Sequence, residues 1–171
     1  LIKPLVLLSG GPGTGKTTVF AQAIPDWMQN FQQLYQRIPN IILCAPTGKA
    51  AARMSEAWNA QKATLDSLKL DSSLQDAMPT QAMTIHRLLA INPISKRAKY
   101  TKQNLLSVDL LIVDEASMLD LPLWVQLLDA LPESAHLLLI GDAQQLPAIE
   151  AGQNLGSLLE ATSEHFFFQQ L

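Results

Sequence analysis

The hydrophobic positions of this chain gather into short unbroken runs. Leu5-Val6-Leu7-Leu8, Ile41-Ile42-Leu43-Cys44, Leu110-Leu111-Ile112-Val113 and Leu137-Leu138-Leu139-Ile140 are each apolar at every position. Such runs predict strands buried on both faces, as in a parallel sheet. Stretches with helical spacing lie between them. The first predicted helix runs to Ile24, where Pro25 either kinks it or opens a new one, and Trp27, Phe31 and Leu34 recur at core spacing. A second helix passes through Arg53, Met54 and Trp58, and Leu121 to Leu131, with Trp124, Leu127 and Leu128, forms another amphipathic one. Gln61 to Gln81 is polar and weakly patterned, and predicts a surface excursion, partly helical. Thr84 is placed to cap a short helix through Leu89, and Gly152 to Leu159 predicts a final helix. His165-Phe166-Phe167-Phe168 is unusually aromatic and is expected to pack as a strand or against a further domain. Alternating strands and helices give the fold class: α/β, a parallel sheet flanked by helices on both faces, in one domain spanning 1–171.

The turns after the strands carry the chemistry. Gly10-Gly11-Pro12-Gly13-Thr14-Gly15-Lys16-Thr17 fits G-x-x-x-x-G-K-[ST] at each fixed position, between a predicted strand and a predicted helix. Glycines there let successive backbone N–H groups curl around phosphates, and the helix start adds its own free N–H groups. Lys16 is expected to reach the β- and γ-phosphates of a nucleoside triphosphate, and the Thr17 hydroxyl to ligate Mg²⁺. Asp114 and Glu115 stand at the carboxyl tip of the third run. Asp114 is placed to hold Mg²⁺, and Glu115 to orient and deprotonate the attacking water. Ser117, Met118 and Leu119 are expected at the mouth of that cleft. The fourth run delivers Gly141-Asp142-Ala143-Gln144-Gln145-Leu146-Pro147 to the same edge, where a polar side chain can sense the γ-phosphate.

Other positions leave two readings open. Thr47, Gly48 and Lys49 follow the second run, on the edge where open α/β sheets gather ligands. They suit either a second anion, such as a nucleic-acid phosphate, or an ordinary strand–helix turn with a capping Thr. His86 and Arg87 either touch a ligand or are structural. Lys96, Arg97, Lys99 and Lys102 form the one basic cluster, with Tyr100 among them. They line a nucleic-acid path or, as such runs usually do, a solvated loop.

Composition narrows the classes. With 171 residues, 48% of them hydrophobic, the chain can bury a sizeable core. No apolar run approaches the roughly 20 residues of a membrane span, and no signal peptide opens the chain. The single Cys44 excludes an internal disulfide, suggests a reducing compartment and reads as a small buried hydrophobe. A net charge of −3 argues against a broad nucleic-acid footprint, although charge can be local. The chain starts at Leu1, almost directly on its first strand, and reads as a piece of a longer protein.

Taken in order, these motifs resemble superfamily 1 DNA helicases of the RecD family, the alpha subunits of bacterial exodeoxyribonuclease V. The matching stretches are the glycine loop through Thr18, Ala45-Pro46-Thr47-Gly48-Lys49-Ala50-Ala51 with Arg53, Thr84-Ile85-His86-Arg87-Leu88-Leu89, Val113-Asp114-Glu115-Ala116-Ser117-Met118, and Gly141-Asp142 through Gln145-Leu146. Asp120-Leu121-Pro122 and Glu150-Ala151-Gly152 are similar too. The resemblance implies a RecA-like P-loop NTPase domain with the Gly141 strand between the other two motif strands. It implies that Gly11, Pro12, Gly13, Thr14, Gly15, Lys16, Thr17, Thr18 and Asp114 bind ATP, with Mg²⁺ on Thr17 and Asp114. Lys16, Glu115 and Gln145 would be catalytic, Gln145 coupling the γ-phosphate to DNA. Pro46, Thr47, Gly48, Lys49, Thr84 and His86 would lie along single-stranded DNA. RecB- and RecC-like partners, a bacterial cytoplasmic location and a role in double-strand break repair follow from the same resemblance. Such helicases close a second RecA-like domain over the nucleotide and draw arginines from it. The arginines here are Arg37, Arg53, Arg87 and Arg97, none at a strand end facing that site. The chain alone is therefore expected to bind ATP weakly and hydrolyse it poorly. Two other classes stay open: an oligomeric AAA+-type P-loop ATPase, and a nucleotide-binding scaffold without turnover.

Overall fold

The computed structural model describes residues 5–9, 16–65, 70–141 and 167–170, with the side chains of 18–62 and 70–141. In chain order the elements are β1 (Leu5–Ser9), α1 (Lys16–Tyr35), β2 (Ile41–Ala45), α2 (Gly48–Leu65), α3 (Ser72–Asp76), β3 (Ala82–Thr84), α4 (Ile85–Leu88), β4 (Leu110–Val113), α5 (Leu121–Ala130), β5 (His136–Gly141) and β6 (Phe167–Gln170). The strands form one sheet in the order β3-β2-β4-β5-β1-β6, and every neighbouring pair is parallel. β5 thus lies between β4 and β1, as expected.

Parallel strands need crossovers, and the crossover helices cover both faces. Strand alternation then sorts the apolar runs into two cores. Ile41, Leu43, Leu110, Ile112 and Ile140 pack with Phe20, Ile24 and Met28 of α1, Met54 and Trp58 of α2, and Leu74 of α3. Cys44, Leu111, Val113, Leu137 and Leu139 pack on the other face with Ile85 and Leu88 of α4 and with Leu123, Trp124 and Leu127 of α5. This double burial is why the runs are apolar at successive rather than alternate positions. Trp58 is fully buried, stacks on Phe20 at 5.7 Å and donates its Nε1–H to the Pro79 carbonyl at 2.5 Å.

Several expectations are corrected. One helix, α1, continues through Pro25, whose lost backbone bond is offset by the buried Ile24, Met28 and Phe31 around it. Leu34 is not core: it is 74% exposed, because it lies on the last turn of α1, past the sheet. The Gln61–Gln81 excursion also sends Leu70, Leu74 and Met78 into the core over α2, so its polar majority hid three anchors. β3, a three-residue strand, was not foreseen; Ala82-Met83-Thr84 carries no apolar run. Phe167 and Phe168 of the aromatic stretch do enter the sheet in β6, and Cys44 is buried as expected. The predicted helix at Gly152–Leu159 lies outside the described residues.

Candidate functional site

Register brings the motif-bearing tips together. Leu139 pairs with Leu7 on one side and with Val113 on the other, and Ser9 pairs with Gly141. β4 ends at Val113, level with Leu139 and Leu7 and two residues short of the Ser9–Gly141 pair, and Asp114 and Glu115 follow it directly. Cys44 pairs with Val113, and the Asp114 N–H continues that ladder by donating to the Cys44 carbonyl at 2.9 Å. Ala45 pairs with Thr84. The carboxyl ends of β1, β5, β4, β2 and β3 therefore make one rim, and α1, α2 and α4 all begin on it.

At the centre of the rim the chain turns hard. Glu115 adopts φ 50°, ψ 37°, a left-handed conformation that costs a residue with a side chain about 1–2 kcal/mol. A 3₁₀ turn, Ala116–Met118, follows it, and the Met118 N–H donates to the Glu115 carbonyl at 3.0 Å. The Asp114 carboxylate is tied to this turn, accepting the Glu115 N–H at 2.8 Å. Both acids are half-buried. A Mg²⁺ ion that keeps substrate phosphates and water in its shell asks for only one or two protein oxygens, and an acid pair on a rigid strand tip fits that need. Ser117 and Leu119 are buried and Met118 is exposed. Ser117 lies beside β5: a Cβ built on Gly141 comes within 3.7 Å of the Ser117 backbone nitrogen. Neither this packing nor the left-handed turn was read from the sequence; an apolar strand running straight into two acids signals a tip, not its backbone.

The other candidates take these places. Lys16 and Thr17 open α1, and Thr18 follows on its first turn. Gly11, Pro12, Gly13, Thr14, Gly15 and Gln145 lie outside the described residues. Pro46 is half-buried, and Thr47, Gly48 and Lys49 are exposed at the end of β2. Thr47 caps α2, its Oγ1 accepting the Ala50 N–H at 3.2 Å. Thr84 caps α4 in the same way, accepting the Arg87 N–H at 3.2 Å. Two threonine-capped helix starts thus stand on adjacent strands. His86 and Arg87 are exposed beside them. Gly48 faces open space, with nothing within 4 Å of a Cβ built there.

The opposite edge is held by a separate cluster. Arg37 meets Asp109 in a two-bond fork, Nη1 to Oδ2 at 2.7 Å and Nη2 to Oδ1 at 2.5 Å. Asp109 Oδ2 also accepts the Asn40 N–H at 2.8 Å, and the Asp109 carbonyl accepts the His136 N–H at 2.8 Å. Burial pushes the Asp109 carboxyl up, but the Arg37 guanidinium and the Asn40 N–H outweigh it and hold it below the ordinary carboxylate range. This cluster ties the amino ends of β2, β4 and β5 together, away from the rim.

A parallel sheet with this strand order, helices on both faces and acids at the β4 tip defines a RecA-like P-loop NTPase fold. The chain belongs to a sequence family described as an AAA domain, which matches residues 1–151. It is similar to the RecBCD enzyme subunit RecD of Haemophilus influenzae, 38% identical over 168 residues, 98% of this chain and 26% of that protein. The RecBCD enzyme subunit RecD of Mycobacterium tuberculosis is 40% identical over 163 residues, 95% of this chain and 28% of that protein. The ATP-dependent RecD2 DNA helicase of Deinococcus radiodurans is 38% identical over 157 residues, 92% of this chain and 18% of that protein. The chain thus spans about a quarter of the RecD proteins it matches, as the 26% and 28% figures state. Among solved structures, the Hef helicase domain of Pyrococcus furiosus has a TM-score of 0.49 at 13% identity. No helix among the described residues is long and apolar enough to cross a membrane.

Proposed function

We propose that this chain is the first ATP-binding motor domain of a RecD-like, ATP-dependent DNA helicase subunit. It forms one domain of a longer bacterial cytoplasmic protein that works in double-strand break repair with RecB- and RecC-like subunits. The observation that carries the reading is the rim: Asp114 and Glu115 directly follow the end of β4, which pairs with β5, which in turn pairs with β1, the strand that precedes α1. The RecD and RecD2 names of its relatives support the same reading.

In this mechanism the Gly11–Gly15 backbone and Lys16 bind the ATP phosphates. Thr17 and Asp114 hold Mg²⁺, which when bound neutralises charge on the phosphates. Glu115 orients water in line with the γ-phosphate and takes its proton. Gln145, on the segment that follows β5, contacts the γ-phosphate and passes its state to the DNA side. Pro46, Thr47, Gly48, Lys49, Thr84 and His86 line the neighbouring stretch of the same rim and hold single-stranded DNA. Opening and closing against a second motor domain converts turnover into translocation.

The test is the ATPase activity of the parent protein with and without single-stranded DNA. Stimulation by DNA at least tenfold, from a monomeric motor subunit, is expected. Turnover indifferent to DNA, or activity confined to nucleotide-dependent rings, would contradict the reading and favour an oligomeric ATPase.

A further inference from the structure

β3 carries one end of the proposed DNA-binding stretch, yet its own pairing holds it poorly. It has three residues, Ala82-Met83-Thr84, lies at the edge of the sheet and pairs with β2 alone. Three parallel pairs on one side give it few ladder bonds. Three side chains of α2 reach across to the segment that enters it. Trp58 Nε1–H donates to the Pro79 carbonyl at 2.5 Å, Asn59 Nδ2–H donates to the Thr80 carbonyl at 3.1 Å, and Ser55 Oγ accepts the Ala82 N–H at 2.8 Å. Of the three, Ser55 alone grips a residue of the strand itself. Its hydroxyl also donates to the Ala51 carbonyl at 2.8 Å, so its one hydrogen is committed and its direction is set. A chain of bonds therefore runs from one helix start towards the other. The Ala51 N–H donates to the Thr47 carbonyl at 2.9 Å, the Ala51 carbonyl accepts from Ser55, Ser55 accepts from Ala82, and Thr84 lies two residues on along β3. Thr47 and Thr84 are the residues that cap α2 and α4.

We infer that Ser55 is a positioning residue for DNA binding: it holds Thr84 at a fixed spacing from Thr47, so that the two capped helix starts meet one single strand together. This role rests on the reading above, in which both threonines lie along that strand, and adds to it a residue whose hydroxyl is turned to the protein. Phosphate contacts fix the register of a protein on nucleic acid. A flexible single strand supplies no spacing of its own, and groups held in place beforehand lose less freedom on binding. Removing the Ser55 hydroxyl leaves the Ala82 N–H without that acceptor. Trp58 and Asn59 still hold the entry to β3, so the strand stays in the sheet while Thr84 loses its fixed place against α2.

The parent protein, native or carrying Ser55→Ala, Ser55→Thr, Thr84→Asp or Ser55→Ala together with Thr84→Asp, is titrated onto fluorescein-labelled oligo(dT), and ATP affinity is measured on the same samples without DNA. Ser55→Ala is expected to weaken DNA binding about fivefold or more, the scale of one lost hydrogen bond, with ATP affinity within about twofold of native. Ser55→Thr keeps the hydroxyl and is expected to bind DNA like the native protein. Thr84→Asp keeps the cap but sets a carboxylate against phosphate, and is expected to weaken DNA binding about tenfold or more. Adding Ser55→Ala to it should deepen that loss less than about twofold, because the contact Ser55 positions is already gone. Native DNA affinity in Ser55→Ala, or no recovery in Ser55→Thr, overturns the inference. So does a Ser55→Ala loss that multiplies in full with that of Thr84→Asp, or that falls equally on ATP and DNA, since either would make Ser55 part of the general scaffold. Thr84→Asp that binds DNA like the native protein would take Thr84 out of the reading above and the role of Ser55 with it, a failure recognised without any change at Ser55.

Discussion

Arg37 and Asp109, 72 residues apart in the chain, lock the amino ends of two central strands with a paired hydrogen bond of 2.7 and 2.5 Å. The Asp109 carboxyl is held below its ordinary range, so its stabilising effect is present above about pH 4 and is lost as pH falls through the lower native value. Arg37 is 54% exposed, so solvent screens the ionic part and the hydrogen bonds matter more. Asp109→Asn should cost about 1–3 kcal/mol at pH 7. The gap to the native protein should narrow in urea melts as pH falls below about 4, where the unfolded carboxyl is protonated, and close further as pH passes through the lowered native value. Equal gaps at pH 7 and pH 3 would contradict this.

Cys44 is fully buried on β2, and burial pushes its thiol far above the usual range. The native protein should therefore resist alkylation at pH 8, with labelling that tracks unfolding as denaturant is added. Rapid labelling of the folded protein would show that the face under α4 opens.

Trp58 combines complete burial, a stack on Phe20 and a hydrogen bond to Pro79. Trp58→Phe keeps most of the volume but strands the Pro79 carbonyl, and should cost about 1–3 kcal/mol. Trp58→Ala should cost about 3–5 kcal/mol. Equal losses in thermal melts of the two variants would mean that the hydrogen bond, which both remove, and not the packing holds α2 to the sheet.

Thr47 has one role the structure displays, capping α2, and one that is proposed, holding a DNA phosphate. Thr47→Asp separates them. Aspartate caps as well as threonine, so stability should change by less than about 0.5 kcal/mol, while a carboxylate facing phosphate should weaken DNA binding at least tenfold. Stability lost with DNA affinity intact would leave only the cap.

The sheet was legible because its central strands are buried on both faces and so carry unbroken apolar runs, and because each motif names the turn it occupies. Thr84 was read as a cap from its place before an apolar helix start, and it is one. What escaped had no local pattern. β3 is held by pairing with β2 across 38 residues, Leu43 to Ala82 at one end, rather than by its own composition. Leu34 keeps the helical spacing of α1 after the sheet beneath it has ended, so periodicity overstates its burial. The Arg37–Asp109 fork joins two ordinary charged positions that only the fold brings together. At the rim, Asp114 and Glu115 were identifiable by type and place, but not the left-handed turn that carries them.

Glu115→Gln in the parent protein tests the central claim most directly, with ATP binding and single-turnover hydrolysis measured on the same sample. Glutamine keeps the shape of the side chain and removes its basicity, so ATP affinity should stay within a few-fold while hydrolysis falls by about 10²–10⁴. Hydrolysis at the native rate would show that Glu115 is not the base and that the rim formed by β4, β5 and β1 does not do this chemistry.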